Sequence, residues 1–311
     1  MGKNVMWELI HYRSDKTQHP GIYSLSRVGS DVAENIKILR IRHWIKNFLL
    51  FAAPFFGGSL FIHETLLMAV PVFLAFSFCA SSAYIFNDIN DYQNDRLHPD
   101  KRKRPIASHR ISKTQASLLS IVMIVPSLIL SYSIAPAFFY LIIAYVIIQA
   151  AYTLHLKNVA VVDIFCIAMG FVIRVLAGGA AFRVEVSHWL LLSMFMISLV
   201  LASGKRLSEV GLLNENAAKH RKSLEHAASA STLNEILLIS SASSLIAYAL
   251  YTVEMYQSLV YTIPIATFGL FRYIILSKQG IGDPTQALTK DKWLIMTILI
   301  WVIVVGWIRY L

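Results

Sequence analysis

The sequence predicts an all-α polytopic membrane protein, built as a bundle of nine transmembrane helices. Composition is one reason: of the 311 residues, 56% are hydrophobic and only 15% are charged, whereas a soluble domain carries about a quarter charged residues. A second reason is that nine apolar segments reach the roughly 17–25 residues that a helix needs to cross a bilayer. None of them alternates apolar and polar residues as a barrel strand would. The same composition excludes disordered, collagen-like and disulfide-scaffold proteins.

The nine predicted spans follow one another along most of the chain. They cover residues 44–62, 66–87, 114–132, 136–155, 160–181, 187–204, 233–256, 258–276 and 293–310. Residues 1–30 precede them as a polar N-terminal arm, without the apolar run and small-residue cleavage site of a secretory signal peptide. We therefore expect two parts: the arm, and a nine-helix membrane domain over residues 31–311 that carries any catalytic site.

Positive charge is distributed unevenly between the two ends of these spans. If the N-terminus is cytoplasmic, 25 of the 28 Lys and Arg residues fall on the cytoplasmic side, Arg183 and Arg309 fall on the other side, and Arg174 lies within a span. This asymmetry is the positive-inside signal and predicts an N-in, C-out orientation. The net charge of +10 then reflects orientation and anionic ligands, so we expect the bilayer, and no nucleic acid, as a partner.

An acidic cluster ends the second span. Asp88, Asp91 and Asp95 are spaced i, i+3 and i+7, which places them on one face of a continuing helix. Three like charges repel unless a cation compensates them, and Mg²⁺ takes carboxylate oxygens and bridges to phosphates. We expect Pro99 to end the helix before the basic run Lys101–Arg104. The alternative is a solvated helix end whose acids pair with those bases.

Further polar side chains are predicted at the same end of the bundle. Lys46 and Arg42 would share a helix face at i and i+4 beside Trp44, either as phosphate-binding groups or as interfacial anchors. Tyr152 ends a polar face of the fourth span, and Lys157 follows it. All of these lie where the acidic cluster lies, so they are candidates for one site.

The fifth and sixth spans add ionisable residues. Asp163 and Arg174 fall within the fifth span, where a charge is costly and indicates a function. A structural pair with another helix is the alternative for Arg174. Gly178 and its neighbour Gly179 are expected to let helices approach closely. After the sixth span, two further cations are candidates. They are Lys205, for which a salt bridge to Glu209 is the alternative, and Arg206.

These segments resemble a known superfamily, the UbiA-type intramembrane prenyltransferases, whose members have nine transmembrane helices. Their first aspartate-rich motif is similar to NDINDYQNDRLHPDKRKRPIAS. Four other segments look like the branch of the superfamily that makes polyprenyl-phosphate phosphoribose: LRIRHWIKNFLLFAAPFFGG, YTLHLKNVAVVDIFCIAMGFVIRVLAGGAA, SGKRLSEV and YTIPIATFGLFRYIILSKQGIGDP. The resemblance runs from about Leu39 to Trp293, with His109 where that branch commonly has glycine.

The resemblance implies an activity and a set of residues. The activity is Mg²⁺-dependent transfer of 5-phosphoribose from phosphoribosyl pyrophosphate to a polyprenyl phosphate, at the cytoplasmic face of a bacterial inner membrane. The implied catalytic residues are Asp88, Asp91, Asp95 and Lys157, with the three aspartates as metal ligands. The implied substrate-binding residues are Lys46, Asn87, Arg102, Tyr152, Asp163, Arg174, Lys205 and Arg206.

Two other functions stay open. The aromatic prenyltransferases of the superfamily carry a second aspartate-rich motif that holds metal on a prenyl diphosphate, and the corresponding stretch here, Gly204–Glu209, has no aspartate. An aromatic or quinone-type prenyltransferase is the main alternative. A carrier for a lipid phosphate is the third hypothesis, although the matching broken helices of a repeat-built transporter are not evident in the sequence. Oligomeric state is open, with a homo-oligomer as one alternative.

Overall fold

Every secondary-structure element of the described chain is helical. The structure is a computed structural model that describes residues 34–97, 101–213 and 230–311, and the predicted N-terminal arm, residues 1–30, lies outside them. The α-helices are α1 (Ala52–Phe56), α2 (His63–Leu97), α3 (Lys113–Ile134), α4 (Pro136–Leu154), α5 (Val162–Phe182), α6 (His188–Leu213), α7 (Ala230–Met255), α8 (Ile263–Lys278), α9 (Pro284–Lys290) and α10 (Lys292–Tyr310). The 3₁₀ helices cover Ile41–Phe51, Lys101–Lys103, Leu156–Asn158 and Gln257–Thr262.

Eight helical segments of the described chain are long and apolar enough to cross a membrane. Seven are α2 to α7 and α10, and the eighth is α8 together with the 3₁₀ helix before it. They coincide with eight of the predicted spans, so the prediction of an all-α polytopic membrane protein is confirmed. A count of nine spans and the N-in, C-out orientation stay predictions.

The first predicted span, residues 44–62, has a different geometry. It consists of the 3₁₀ helix Ile41–Phe51 followed directly by α1, which ends at Phe56. A 3₁₀ helix rises about 2.0 Å per residue and an α-helix about 1.5 Å, so the two together are about 30 Å long. That is roughly the thickness of the hydrocarbon core of a bilayer. The segment is therefore shorter in sequence than predicted, but long enough to reach across.

The 3₁₀ helix sorts its side chains into rows with a period of three, because residues i and i+3 eclipse each other. The outward row is exposed and contains Arg42, Ile45 and Phe48. The inward row contains Trp44, Asn47 and Leu50, and the last two of these are fully buried. The third row is half buried and contains His43, Lys46 and Leu49. The prediction that Arg42 and Lys46 share a helix face was therefore wrong, since it assumed an α-helical period.

Two neighbours hold the 3₁₀ helix in place. On α2, Ser81 accepts a hydrogen bond from Trp44 Nε1 at 2.9 Å and donates one to the Leu39 carbonyl at 2.8 Å. On α5, Gly178 lies so close that a Cβ there would be 2.6 Å from the Leu50 carbonyl carbon, and closer still to its oxygen. The prediction that Gly178 is a close-packing residue is confirmed.

Helix α2 is the longest element and carries the acidic cluster. Its 35 residues span about 50 Å, which is about 20 Å more than the hydrocarbon core requires. The helix therefore continues well past the predicted end at residue 87, and Asp88, Asp91 and Asp95 lie on this extension. Pro99, expected to end the helix, lies outside the described residues.

Candidate active site

Cations surround the acidic cluster on α2. Asp88 and Asp95 are buried, with 2% and 4% of their surface exposed. Asp88 Oδ1 accepts hydrogen bonds from Arg40 Nη2 and, at 3.0 Å, from Arg104 Nη1. The same nitrogen of Arg104 donates to Asp95 Oδ2 at 2.5 Å. Two carboxylates thus converge on one nitrogen, and the helix spacing predicted from the sequence does bring them to one face.

The third aspartate is bound by the loop after α4. Lys157 Nζ forms an ion pair with Asp91 Oδ1. One turn earlier on α2, Asn87 Oδ1 accepts a hydrogen bond from Thr153 Oγ1 at 3.3 Å. The end of α4 and the 3₁₀ turn that follows it are therefore attached to the acidic extension of α2. Asn87, Asp91 and Lys157 were all predicted as site residues, and the structure brings them together.

The cluster has the chemistry of a divalent-metal site, although cations of the protein hold it. Within the described residues, no group of three His, Cys, Asp or Glu side chains is placed to hold a metal ion. Asp88 and Asp95 nevertheless face one positively charged nitrogen of Arg104, and carboxylate oxygens are the ligands that Mg²⁺ prefers. The donor set of the two carboxylates therefore suits such an ion, at the place that the Arg104 nitrogen occupies. The acids do pair with bases, as in the alternative left open by the sequence, but Asp88 and Asp95 are buried and not solvated.

The basic loop after α2 contributes a different residue from the one predicted. Arg102 lies exposed on the 3₁₀ turn Lys101–Lys103, whereas Arg104, two residues on, contacts the acids. His109, further along this loop, adopts a positive φ of 59°. That left-handed conformation favours glycine, which is the residue that the resemblance leads one to expect at this position.

A buried arginine ties three helices together beside the cluster. Arg206 is 1% exposed; its Nε donates to Asp163 Oδ2 at 2.5 Å, and Nη1 donates to Glu209 Oε2 at 2.6 Å. Its Nη2 donates to the Tyr152 hydroxyl at 3.1 Å. These bonds hold α6 against α4 and α5. Arg206 and Glu209 lie on the part of α6 that continues to Leu213, beyond the end predicted at residue 204.

Arg174 lies deeper in the bundle. It is 4% exposed, and its guanidinium donates to Asn47 Oδ1 at 2.9 Å and to the Tyr145 hydroxyl at 3.0 Å. It also lies within 5.0–5.7 Å of the ring centroids of Phe76, Tyr145 and Phe171. Among the described residues it forms no ion pair with a carboxylate. For Arg174 the structural alternative is therefore a hydrogen bond to the 3₁₀ helix, and no carboxylate of the described residues compensates its positive charge.

A second group of cations lies between the 3₁₀ helix and the start of α9. Lys205 Nζ lies 3.4 Å from Asp283 Oδ2, and Asp283 caps α9 by accepting from the backbone of Thr285. The pKa of Asp283 is lowered to about 2: burial acts in the opposite direction, but the charges of Lys205 and Lys46 outweigh it. Lys46 Nζ lies 5.9 Å from the centroid of the Phe171 ring and has no ion pair with a carboxylate among the described residues.

Sequence reasoning missed four residues of this arrangement: Arg40, His43, Arg104 and Asp283. Arg104 lies in the predicted basic run, and Arg40 and His43 lie within two residues of Arg42, so their polar character was visible. Their partners were not, because Arg40 and Asp88 are 48 residues apart and Lys205 and Asp283 lie on different elements.

The arrangement can be compared with known proteins. Residues 48–298 match the family model described as the UbiA prenyltransferase family. The chain belongs to the UbiA prenyltransferase family. As a member of that family it is a transferase and an integral membrane protein, and both predictions are confirmed.

Two named relatives and one solved structure are similar to most of the chain. The chain is 35% identical over 289 residues to a decaprenyl-phosphate phosphoribosyltransferase of Mycolicibacterium smegmatis, covering 87% of this chain and 91% of the relative. It is 34% identical over 279 residues to the enzyme of that name from Corynebacterium glutamicum, covering 86% and 84%. A solved structure of a UbiA homolog from Archaeoglobus fulgidus bound to GPP and Mg²⁺ has a TM-score of 0.68 and 21% identity, covering 89% of this chain and 99% of that one. The predicted UbiA-like fold is thereby confirmed.

Proposed function

We propose that the protein transfers 5-phosphoribose from phosphoribosyl pyrophosphate to a polyprenyl phosphate. The products are pyrophosphate and polyprenylphosphoryl-5-phosphoribose, and Mg²⁺ is the cofactor. The enzyme would lie in a bacterial cytoplasmic membrane with its site facing the cytoplasm. The names of the relatives support this substrate pair.

The observation that carries the proposal is that Lys46 and Arg174 have no carboxylate partner among the described residues. A buried charge is costly without such a partner. A phosphate ligand would compensate both. Phosphoribosyl pyrophosphate and a polyprenyl phosphate together bring several phosphates, which suits a site with cations that no carboxylate of the described residues pairs.

The chemistry needs no general base. A phosphate monoester has its second pKa near ~6, so the oxygen of the lipid phosphate is already ionised at neutral pH. That oxygen forms a bond to the anomeric carbon of ribose while the bond from this carbon to the pyrophosphate oxygen breaks, and the electron pair leaves with pyrophosphate. The anomeric carbon becomes oxocarbenium-like, as in glycoside chemistry. Direct displacement converts the α-configured donor to a β-linked product.

The site residues would have separate roles in binding metal, binding phosphate and orienting other side chains. Asp88, Asp91 and Asp95 would hold Mg²⁺, which neutralises charge developing on the leaving pyrophosphate. Lys157, next to Asp91, and Lys46 would bind phosphate oxygens electrostatically. Tyr152, Asp163 and Arg206 form a buried network, so we assign to Arg206 the orientation of its two partners. Arg102, exposed beside the cluster, would contribute charge at the mouth of the site.

A labelling experiment tests the proposal. Purified protein is incubated with Mg²⁺, ribose-labelled phosphoribosyl pyrophosphate and a polyprenyl monophosphate, and label is counted in the organic extract. We expect label that is lost with EDTA and reduced by orders of magnitude in Asp88→Asn. The matched control is Asp291→Asn, because Asp291 pairs with Arg272 at the start of α10 and not with the cluster.

The opposite results would be equally informative. Prenylation of an aromatic acceptor from a prenyl diphosphate, without label transfer, would replace the proposal by the aromatic prenyltransferase alternative. Label transfer that Asp88→Asn and Asp91→Asn leave intact would place the metal elsewhere. An α-linked product would exclude single displacement.

A further inference from the structure

His43 occupies a position of the 3₁₀ helix that faces the candidate site. It shares its row with Lys46, one 3₁₀ turn or about 6 Å further along, and Arg40 lies three residues before it. The ring of Tyr84, on α2, contacts both His43 and Arg40. The His43 ring centroid lies 5.5 Å from the Tyr84 ring centroid, and the Arg40 guanidinium carbon lies 5.3 Å from it. His43 therefore lies between Arg40, which binds Asp88, and Lys46.

The imidazole has an unused hydrogen-bonding atom. His43 Nδ1 is buried and has no hydrogen-bond partner among the described residues. Buried polar atoms are normally paired, and leaving one unpaired is costly. His43 lies on the half-buried row of the helix and not on its inward, core-packing row. A group supplied from outside the described chain would complete this hydrogen bond.

A hydroxyl group can complete this hydrogen bond, because it both donates and accepts. A neutral imidazole has one N–H donor and one acceptor nitrogen, which is a suitable partner for a hydroxyl group.

The order of the side chains along this edge of the 3₁₀ helix matches the order of chemical groups in phosphoribosyl pyrophosphate, the proposed donor. Arg40 binds Asp88 of the acidic cluster, where pyrophosphate and metal would bind. Lys46 belongs with Lys205 to the second group of cations, where another phosphate would bind. The part of phosphoribosyl pyrophosphate between its pyrophosphate and its 5-phosphate is a ribose ring with two free hydroxyls, and His43 lies between the corresponding cations.

We propose that His43 donates or accepts a hydrogen bond at Nδ1 with a ribose hydroxyl of the donor, and so selects a ribosyl donor over a prenyl diphosphate. This inference rests on the proposed function. A prenyl diphosphate would present hydrocarbon at this position and leave Nδ1 unpaired. A site built to bind a hydroxyl rejects an analogue without it, because the polar group of the site is then left buried and unsatisfied.

The test compares donors that differ only in one hydroxyl. Initial rates are measured for phosphoribosyl pyrophosphate and for its 2-deoxy and 3-deoxy analogues, with wild type, His43→Phe and His43→Gln. His43→Phe keeps a ring and removes both nitrogens, and His43→Gln keeps a donor and an acceptor. The matched control is His63→Phe, because His63 is an exposed residue at the opposite end of α2.

We expect His43→Phe to lower kcat/KM for the full donor by about 10-fold to 100-fold, the usual size of one lost hydrogen bond at a buried site. With one of the two deoxy donors, wild type and His43→Phe should agree within about twofold, because the hydroxyl that His43 binds is already absent. His43→Gln should recover part of the loss, and the KM for the lipid phosphate should not change. His63→Phe should match wild type with all three donors.

The result that overturns the inference is an equal loss in His43→Phe with all three donors, which indicates a structural role, or no loss at all. If His43→Phe does not fold, His43→Gln decides: retention of the wild-type preference for the full donor supports the inference, and loss of the same factor with every donor overturns it. Absence of transfer by the wild type overturns the proposed function itself, and is thereby distinguished from failure at His43.

Discussion

Gly178→Ala tests whether the 3₁₀ helix depends on its close approach to α5. The added Cβ would lie 2.6 Å from the carbonyl carbon and 2.8 Å from the Cα of Leu50, whereas carbon atoms prefer separations of about 3.5–4.0 Å. Both neighbours are backbone atoms, so no side-chain rotation relieves the overlap. The 3₁₀ helix and α5 must therefore separate by about 1 Å.

The magnitude follows from two costs and one gain. Overpacking of this kind typically costs about 1–3 kcal/mol. The 2.9 Å hydrogen bond from Arg174 to Asn47 joins the same two elements, and weakening it adds about 1 kcal/mol. Alanine is a better helix former than glycine by about 1 kcal/mol, which offsets part of the loss. We expect a net destabilisation of about 2 kcal/mol.

The functional effect should exceed the effect on stability. Lys46 and His43 move with the 3₁₀ helix, whereas Lys205 and Asp91 stay with α6 and α2. A misplacement of about 1 Å in a reacting complex can cost roughly 100-fold in rate. We expect label transfer to fall by at least about 10-fold at temperatures where Gly178→Ala is still folded.

The assay is thermal unfolding in a fixed detergent or nanodisc, followed by label transfer on the same preparation. Gly211→Ala in α6 is the control, because nothing lies within 4 Å of a Cβ built there, and it should be neutral or slightly stabilising. The reasoning is refuted if Gly178→Ala unfolds at the same temperature as Gly211→Ala and transfers label at the same rate.

Three further predictions concern charges and thiols. Arg206→Ala should destabilise the protein by about 3–5 kcal/mol, because it leaves Asp163 buried without a partner. In thermal unfolding, Arg206→Lys should recover part of this loss. Equal stability of the wild type and both variants would contradict the prediction. Asp283→Asn should cost about 2 kcal/mol at pH 7, since the folded pKa of Asp283 lies near 2 and the ordinary pKa of an aspartate is 3.8. This stability is present above about pH 4 and lost as the pH falls towards 2, so wild type and variant should converge there, and a constant difference would count against the charge effect. Both cysteines are buried and free, so Cys79→Ala and Cys166→Ala should leave label transfer unchanged; a large loss would reveal a role in the chemistry.

The sequence predicts most of the fold because its apolar runs are long and separated by polar turns. Helices α2 to α8 and α10 follow from those runs, and the spacing of Asp88, Asp91 and Asp95 correctly places them on one side of α2. Helix ends are less predictable, because α2 and α6 continue past the apolar run. Buried ion pairs such as Arg206–Asp163 make that continuation possible, and hydropathy does not record such pairs.

The 3₁₀ helix is the part that sequence alone does not predict. The run from Ile41 to Phe51 has the hydropathy of an α-helical span. Contacts with Gly178 and Ser81, which are distant in sequence, accompany the tighter winding. For the same reason the sequence reveals the sign of each charge in the site but not its partner: Arg104 and Arg40 were visible as bases, and only the fold joins them to Asp88.

A 3₁₀ helix has three residues per turn, so each side chain of the first predicted span shares its surroundings with the side chain three residues further on. Inserting a single residue between Arg42 and Trp44 would rotate everything that follows by one third of a turn, and Phe48 would move from the exposed row to the half-buried row. Three inserted residues would restore the phase and only lengthen the segment. The chain can therefore tolerate changes of length here in steps of three, and homologues of different span length are expected to differ by that number.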